Sequence, residues 1–220
     1  MKNSAFYLLF SLWSAIIVII GFWPKYFGQL MDGIGEIQWI IHIHAMVFTG
    51  WIILFFLQAL AIYKGRTEDH IRRGKIGMYY GLLVLLTGLV TAFVRGDFHR
   101  DLGDETAAVF SLAAGIRDVV VFGIMFAIAM YFRKKPQLHR IWIMGAASYL
   151  LVPAVARANG VLFPGKMIMF ILIWLLPVFA AMFVDYRRKN RYLWNYVIVI
   201  VMMIASGASL GWLQKVFAQL

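Results

Sequence analysis

Long apolar runs alternate with short basic connectors along the whole chain. The runs fall at residues 5–23, 39–62, 75–94, 112–132, 139–157, 167–184 and 193–212. Each is close to the ~20 residues that a helix rising ~1.5 Å per residue needs to cross a ~30 Å hydrocarbon core. The pattern predicts an all-α, polytopic membrane bundle of about seven transmembrane helices. Connectors are short except at 24–38 and 95–111, which leaves no room for a soluble domain, so residues 1–220 read as one domain. Pro153 and Pro177 fall inside the fifth and sixth runs, where each removes a backbone hydrogen bond and is expected to kink its helix. Gly77-x-x-x-Gly81 and Gly207-x-x-x-Gly211 are expected to form close-packing faces. The second of these also reads Gly-x-Ser-x-Gly, but that nucleophile pattern works on a strand-to-helix turn and is set aside inside a helix.

The second run carries the most information. His44, Trp51 and Gln58 are seven residues apart, drift only ~20° per step around a helix, and so form one stripe. A polar stripe facing lipid is costly, so it is expected to face other helices. His42 is two residues from His44, hence ~200° away, and cannot share that face. The stripe takes His44 and leaves His42 an interfacial or helix-contact role.

Composition and charge narrow the class. Hydrophobic residues make up 63% of the chain and the mean hydropathy is +0.80, well above soluble domains. The net charge of +11 sits in the connectors, which assigns it to topology and lipid-surface contact rather than to nucleic acid. Of the 21 Lys and Arg residues, 14 fall on the side of the N-terminus, beginning with Lys2. Six (Lys25, Arg95, Arg100, Arg157, Lys166 and Lys215) fall on the other side, and Arg117 lies within a run. The asymmetry predicts N-terminus in and C-terminus out. The outer connectors carry most of the acids: Asp32, Glu36, Asp97, Asp101, Asp104 and Glu105. The first run has one basic residue before it, no small-x-small cleavage site, and ends in Trp23-Pro24, so it reads as a retained helix. The absence of cysteine removes disulfides, thiolate nucleophiles, iron–sulfur ligation and covalent c-type haem attachment.

Two polar clusters are candidates for chemistry. The inner one pairs His70, near Arg66, Arg72 and Arg73, with His139, near Lys135 and Arg140, at the entries of the third and fifth runs. Two histidines so placed can ligate one haem iron axially, with Arg72 and Arg140 neutralising the propionates. The alternative is a pair of ordinary interfacial histidines in connectors already basic for topological reasons. The outer cluster is a ligand pocket of His44, Gln58, Arg95, Arg117, Asp118 and Arg157. An intramembrane carboxylate needs a partner, and Arg117 lies ~100° from Asp118 around the helix, so a salt bridge from Asp118 to Arg157 or Arg95 is expected. His139 and Arg157, 18 residues apart, are expected to share one face of the fifth helix.

The segments Phe22-Trp-Pro-Lys-Tyr-Phe27, Ile41-His-Ile-His-Ala-Met-Val-Phe-Thr-Gly-Trp51, Gly65-Arg66 followed by His70, Pro136-Gln-Leu-His-Arg140 and Pro153-Ala-Val-Ala-Arg157 resemble a widespread group of uncharacterised seven-helix bacterial inner-membrane proteins. More distantly, the second to fifth helices are similar to the ascorbate-linked transmembrane cytochromes b. That likeness implies bis-histidine haem ligation by His70 and His139 and half of a second site at His44; the fourth helix has Arg117 and Asp118 where that family has a histidine. Together these features imply a multi-pass protein of the bacterial inner membrane that binds haem b and serves electron transfer or respiratory-enzyme assembly, in contact with lipid and other membrane proteins. The competing readings are a non-redox small-ligand binder or transporter with an outward-facing polar pocket, and a scaffold for other membrane proteins.

The charge asymmetry is directly testable. A reporter active only in the cytoplasm should give signal when fused after Lys64, Lys134 or Lys189 and none after Asp101 or behind the last helix. Signal from the last fusion requires an even number of crossings and contradicts the predicted topology.

Overall fold

The computed structural model describes residues 2–33 and 38–219, with side chains from Ser4 onward; Glu36 and the side chain of Lys2 lie outside the described residues. The described residues form helices and no strands: α1 Lys2–Phe22, a π-helical turn Trp23–Phe27, α2 Gly28–Asp32, α3 Trp39–Tyr63, α4 Thr67–Asp101, α5 Glu105–Tyr131, α6 Pro136–Leu150, α7 Val152–Leu162, α8 Met167–Tyr186 and α9 Trp194–Phe217. Among the described residues six helical stretches are long and apolar enough to cross a membrane, and the count is seven when α6 and α7, bent by 52°, are taken as one broken span. The protein is an all-α polytopic membrane bundle. The side bearing most basic connectors is called inner below.

Helix ends and hydropathy ends do not coincide. The third apolar run stops at Val94, but α4 continues to Asp101 and begins at Thr67, so at ~1.5 Å per residue it is ~50 Å long and projects beyond the core on both sides. The expected long connector at 95–111 shrinks to a turn. Arg100 bridges Asp97 at 3.3 Å and Glu105 at 3.5 Å, Gly103 takes φ 75°, and Asp104 Oδ1 accepts from the Ala107 backbone N–H at 3.0 Å to cap α5. Charged residues end burial in lipid without ending a helix that water can solvate. The connector at 24–38 is likewise largely helical, through the π turn and α2, which stops where Gly33 takes φ 64°.

The prolines act differently from one another. α8 runs through Pro177 unbroken. At Pro153 the chain breaks: α6 ends at Leu150 and α7 starts at Val152, because Pro153, in the first turn of α7, has no N–H to continue the α6 ladder. After the bend of 52° His139 meets Ala129 of α5 while Arg157 lies over Phe22 of α1, so the two do not line one continuous face as the 18-residue spacing predicts.

α6 lies at the centre of the bundle. Nine of its fifteen residues are buried, including the unbroken stretch Met144–Tyr149. It packs on α5, α8 and α9, while α5 also packs on α4 and α9, and α1 closes the side between α3 and α7. Small residues set these approaches. A Cβ at Gly145 would stand 2.7 Å from Val199 of α9, and one at Gly81 would strike the Phe126 ring of α5. The two glycine pairs expected as packing faces behave differently from expectation. Gly77 meets α3 through Leu54 while Gly81 meets α5, so they serve two neighbours. Gly207 and Gly211 have open space around them, since that side of α9 points away from its neighbours.

This contrast sets a paired prediction. Gly81→Ala forces a methyl group into the buried Phe126 ring and should cost about 1–3 kcal/mol, whereas Gly207→Ala should shift stability by no more than about 0.5 kcal/mol. Thermal unfolding of the two variants in one detergent measures the difference; equal midpoints would contradict the described α4–α5 contact.

Candidate functional site

Polar side chains gather at three depths, and the six residues expected to form one outer pocket are divided among them. Gln58 belongs to the inner level. It is 14 residues, ~21 Å of helix, from His44, so the two share a face of α3 but not a site.

At the inner level His70 of α4 and His139 of α6 face each other, with ring centroids 6.3 Å apart and planes at 75°. Their helices are not packing neighbours, so the two side chains span the space between α4 and α6 on one side of α5. His139 Nδ1 donates to the Ala129 carbonyl at 2.9 Å, which places its proton on Nδ1 and leaves the Nε2 lone pair free in the neutral ring. His70 Nδ1 is buried without a hydrogen-bond partner, and so is Gln58 Oε1. The Gln58 amide lies 3.3 Å from where a Cβ of Gly74, one turn beyond His70, would project. The arginines expected to meet propionates are held by carboxylates of the chain. Arg72 is exposed and bonds Asp69, one turn away, at 2.9 Å, while Arg140 Nη2 bonds Asp185 at 2.6 Å. Among the described residues no three His, Cys, Asp or Glu side chains gather to hold a metal ion.

The Asp185 cluster has no counterpart in the sequence reading. Asp185, at the inner end of α8, is fully buried and accepts from Arg140 Nη2, from Asn190 Nδ2 at 2.8 Å and from the Tyr196 hydroxyl at 3.1 Å. Tyr7 of α1 stands 3.5 Å from the Tyr196 hydroxyl. One carboxylate thus ties α6, α8 and α9 together, with α1 alongside. In sequence Asp185 sits beside Arg187 and Arg188 and reads as one more interfacial charge. The signal that marks it is its place inside the last turn of an apolar helix.

At mid-depth, 13 residues from either end of α5, Asp118 bonds Arg117 through Nε at 2.9 Å and Nη2 at 2.7 Å, and the Tyr149 hydroxyl of α6 donates to it at 3.2 Å. The expected partners Arg157 and Arg95 do not reach it. Asp118 lies too deep for them, and the arginine side chain is long enough to cover the ~100° between adjacent positions.

At the outer level His44 points inward, stacked on Phe48 at 4.0 Å with a buried, unpartnered Nδ1, and His42 lies exposed against Tyr26 at 3.2 Å. Arg95 donates to Gln38 Oε1 at 3.4 Å and to His99 Nε2 at 2.9 Å. Arg157 donates to the Pro153 carbonyl at 3.0 Å and lies over the Phe22 ring at 4.7 Å. His99, within the segment read as a connector, joins this level because α4 extends to Asp101.

Removing the buried carboxylate should be severe. Asp185→Ala leaves Arg140 charged and partnerless among buried groups and should cost about 3–5 kcal/mol, whereas Asp97→Ala, which breaks an exposed pair, should cost about 0–1 kcal/mol. Thermal unfolding in detergent checks both; a mild Asp185→Ala phenotype would contradict the buried network.

The chain matches no protein-family model, no curated protein and no solved structure, and its functional reading rests on the geometry above.

Proposed function

We propose that the protein is a redox carrier of a bacterial inner membrane that holds one b-type haem at its inner side between His70 and His139, and serves electron transfer or the assembly of a respiratory enzyme. The observation that supports this reading is the facing pair of rings. A bond of about 2 Å from a metal to each imidazole nitrogen, with about 1 Å more to each ring centre, separates two axial imidazoles by about 6 Å. The rings stand 6.3 Å apart. A porphyrin brings four of the six ligands of iron, so two side chains complete the set and no three-residue cluster is required.

The surrounding residues suit the task. Ala129 holds the His139 ring through Nδ1, the second-shell bond that orients metal-binding histidines and raises their basicity. Gly74 keeps side-chain bulk low one turn beyond His70, and the buried Nδ1 of His70, which has no hydrogen-bond partner, is a polar atom that a bound group would account for. Arg140 steadies α6 from the Asp185 side rather than meeting a propionate. When bound, the haem supplies reversible one-electron transfer, and the chain's part is to hold and orient it.

Absorption spectra of the detergent-purified protein, expressed with ample haem and recorded oxidised and dithionite-reduced, test the reading. Sharp reduced b-type bands are expected in the wild type, lost in His70→Ala and His139→Ala, recovered in part on adding imidazole, and kept in His42→Ala. A colourless wild type, or bands that survive both alanine variants, would overturn it.

A further inference from the structure

One side of α5 carries a feature that the haem reading leaves unused. Phe110, Arg117, Ile124 and Tyr131 stand seven residues apart, so they drift only ~20° per step and form one stripe along the helix. Three of the four are open to the surroundings: Phe110 is 50% exposed, Ile124 46% and Tyr131 78%. Arg117 is set within that stripe at mid-depth, and its side chain turns aside to bond Asp118. Other sides of α5 meet its neighbours. Gly115, Val119 and Gly123 approach α4, while Asp118 and Met125 turn to α6.

The ion pair so placed is neutral but not complete. Both bonds from Arg117 and the one from Tyr149 end on Asp118 Oδ1, and among the described residues Oδ2 accepts none. Arg117 gives one N–H from Nε and one from Nη2, so three of its five donors are unclaimed, both of those on Nη1 included. Neither Oδ2 nor Nη1 is sealed inside the chain, since the side chains of Arg117 and Asp118 keep 10% and 19% of their surface. Lipid tails offer neither donor nor acceptor, and an ionised group open to them at mid-bilayer is costly. A tie between α5 and α6 needs no such opening. Asp185 shows how this chain buries a carboxylate that only joins helices: both oxygens are engaged and no surface is left.

Whatever covers the opening has to bring a donor and an acceptor together at this depth. A second copy of the chain does so by symmetry. Copies inserted in one orientation are related by a two-fold axis along the membrane normal, which sets equal depths opposite each other and the same patch against itself. Arg117 then faces the partner's Asp118, and the partner's Arg117 faces Asp118. Two cations and two carboxylates close into a ring without net charge. We propose that the protein is a homodimer whose interface runs along the exposed stripe of α5 and is closed at mid-depth by Arg117 and Asp118 bonded across it. Apolar contact alone gives membrane helices little preference for one another, so the ring supplies the specificity. The interface neither uses nor depends on the inner histidine pair.

The chain has no cysteine, so single cysteines report the interface without background. In membranes of cells expressing the full chain, mild oxidation of Val120→Cys or Ile124→Cys, both on the exposed side of α5 and within two turns of Arg117, should give a disulfide-linked product of twice 25.2 kDa that contains this chain alone. Ile16→Cys, 55% exposed on α1, a helix that does not pack on α5, should give none. Combined with Ile124→Cys, Arg117→Gln should lower the yield about tenfold. If that variant does not accumulate, Arg117→Lys, which keeps the charge beside Asp118 and loses the fork that serves two carboxylates, should lower the yield in its place. No product from either α5 cysteine, a product joined to a different protein, equal product from Ile16→Cys, or an undiminished yield in the arginine variant overturns the proposal.

Discussion

A charge taken into a bilayer has to carry its partner with it, and in this protein that requirement converges on one helix. Asp185 is fully buried at the inner end of α8, and the cation that neutralises it is Arg140 of α6. Asp118 at mid-depth in α5 is bound by its neighbour Arg117 and by Tyr149, also of α6. The same helix donates from Trp142 to Asn195 at the start of α9, offers the Ser148 carbonyl to Trp174 of α8, and bonds the Ala129 carbonyl of α5 through His139. A bilayer gives helices little hydrophobic reason to choose one neighbour over another, so van der Waals fit and such polar contacts decide the arrangement. α6 holds polar ties to α5, α8 and α9 at the inner level and to α5 and α8 at mid-depth, and its rotation is fixed by them.

Fixing α6 also fixes the inner histidine pair. His139 precedes Arg140 in sequence, so the bond to Asp185 on one side of α6 and the Ala129 bond on another leave the imidazole little freedom. His70 approaches from α4, which projects beyond the core and is positioned by its long contact with α5. The break after Leu150 then frees α7 to lean on α1, which brings Arg157 over Phe22 and away from the face that continues from His139. The inner histidines and Arg157 thereby stand at opposite ends of the bundle, on helices that lean on different neighbours.

How much of this was legible in the sequence follows from what each signal measures. Hydropathy gave the crossings, because burial in lipid is a property of composition over ~20 residues. Seven-residue spacing separated the inward His44 from the exposed His42, because helix phase is local. Helix length is not legible at 95–111, since apolar character ends at the membrane surface while α4 continues in water. Helix phase does not carry through the break at Pro153, so spacing alone does not show that His139 turns to α5 and Arg157 to α1. Partner choice was the least legible. Backbone angle separates Arg117 from Asp118 but says nothing of the reach of the arginine side chain, and Asp185 looks like one more interfacial charge because its burial depends on partners from α6 and α9. Gly207 and Gly211 show the same limit, a packing motif with no neighbour to pack against.

The proposed haem site is tested most directly at the iron itself. Low-temperature electron paramagnetic resonance of the oxidised, haem-supplied protein reads the axial ligands directly. The account predicts a low-spin ferric signal of the bis-imidazole type, equivalent to one haem per chain, that becomes high-spin when His70 or His139 alone is replaced by alanine. A purely high-spin signal in the wild type, or no haem iron at all, would contradict it.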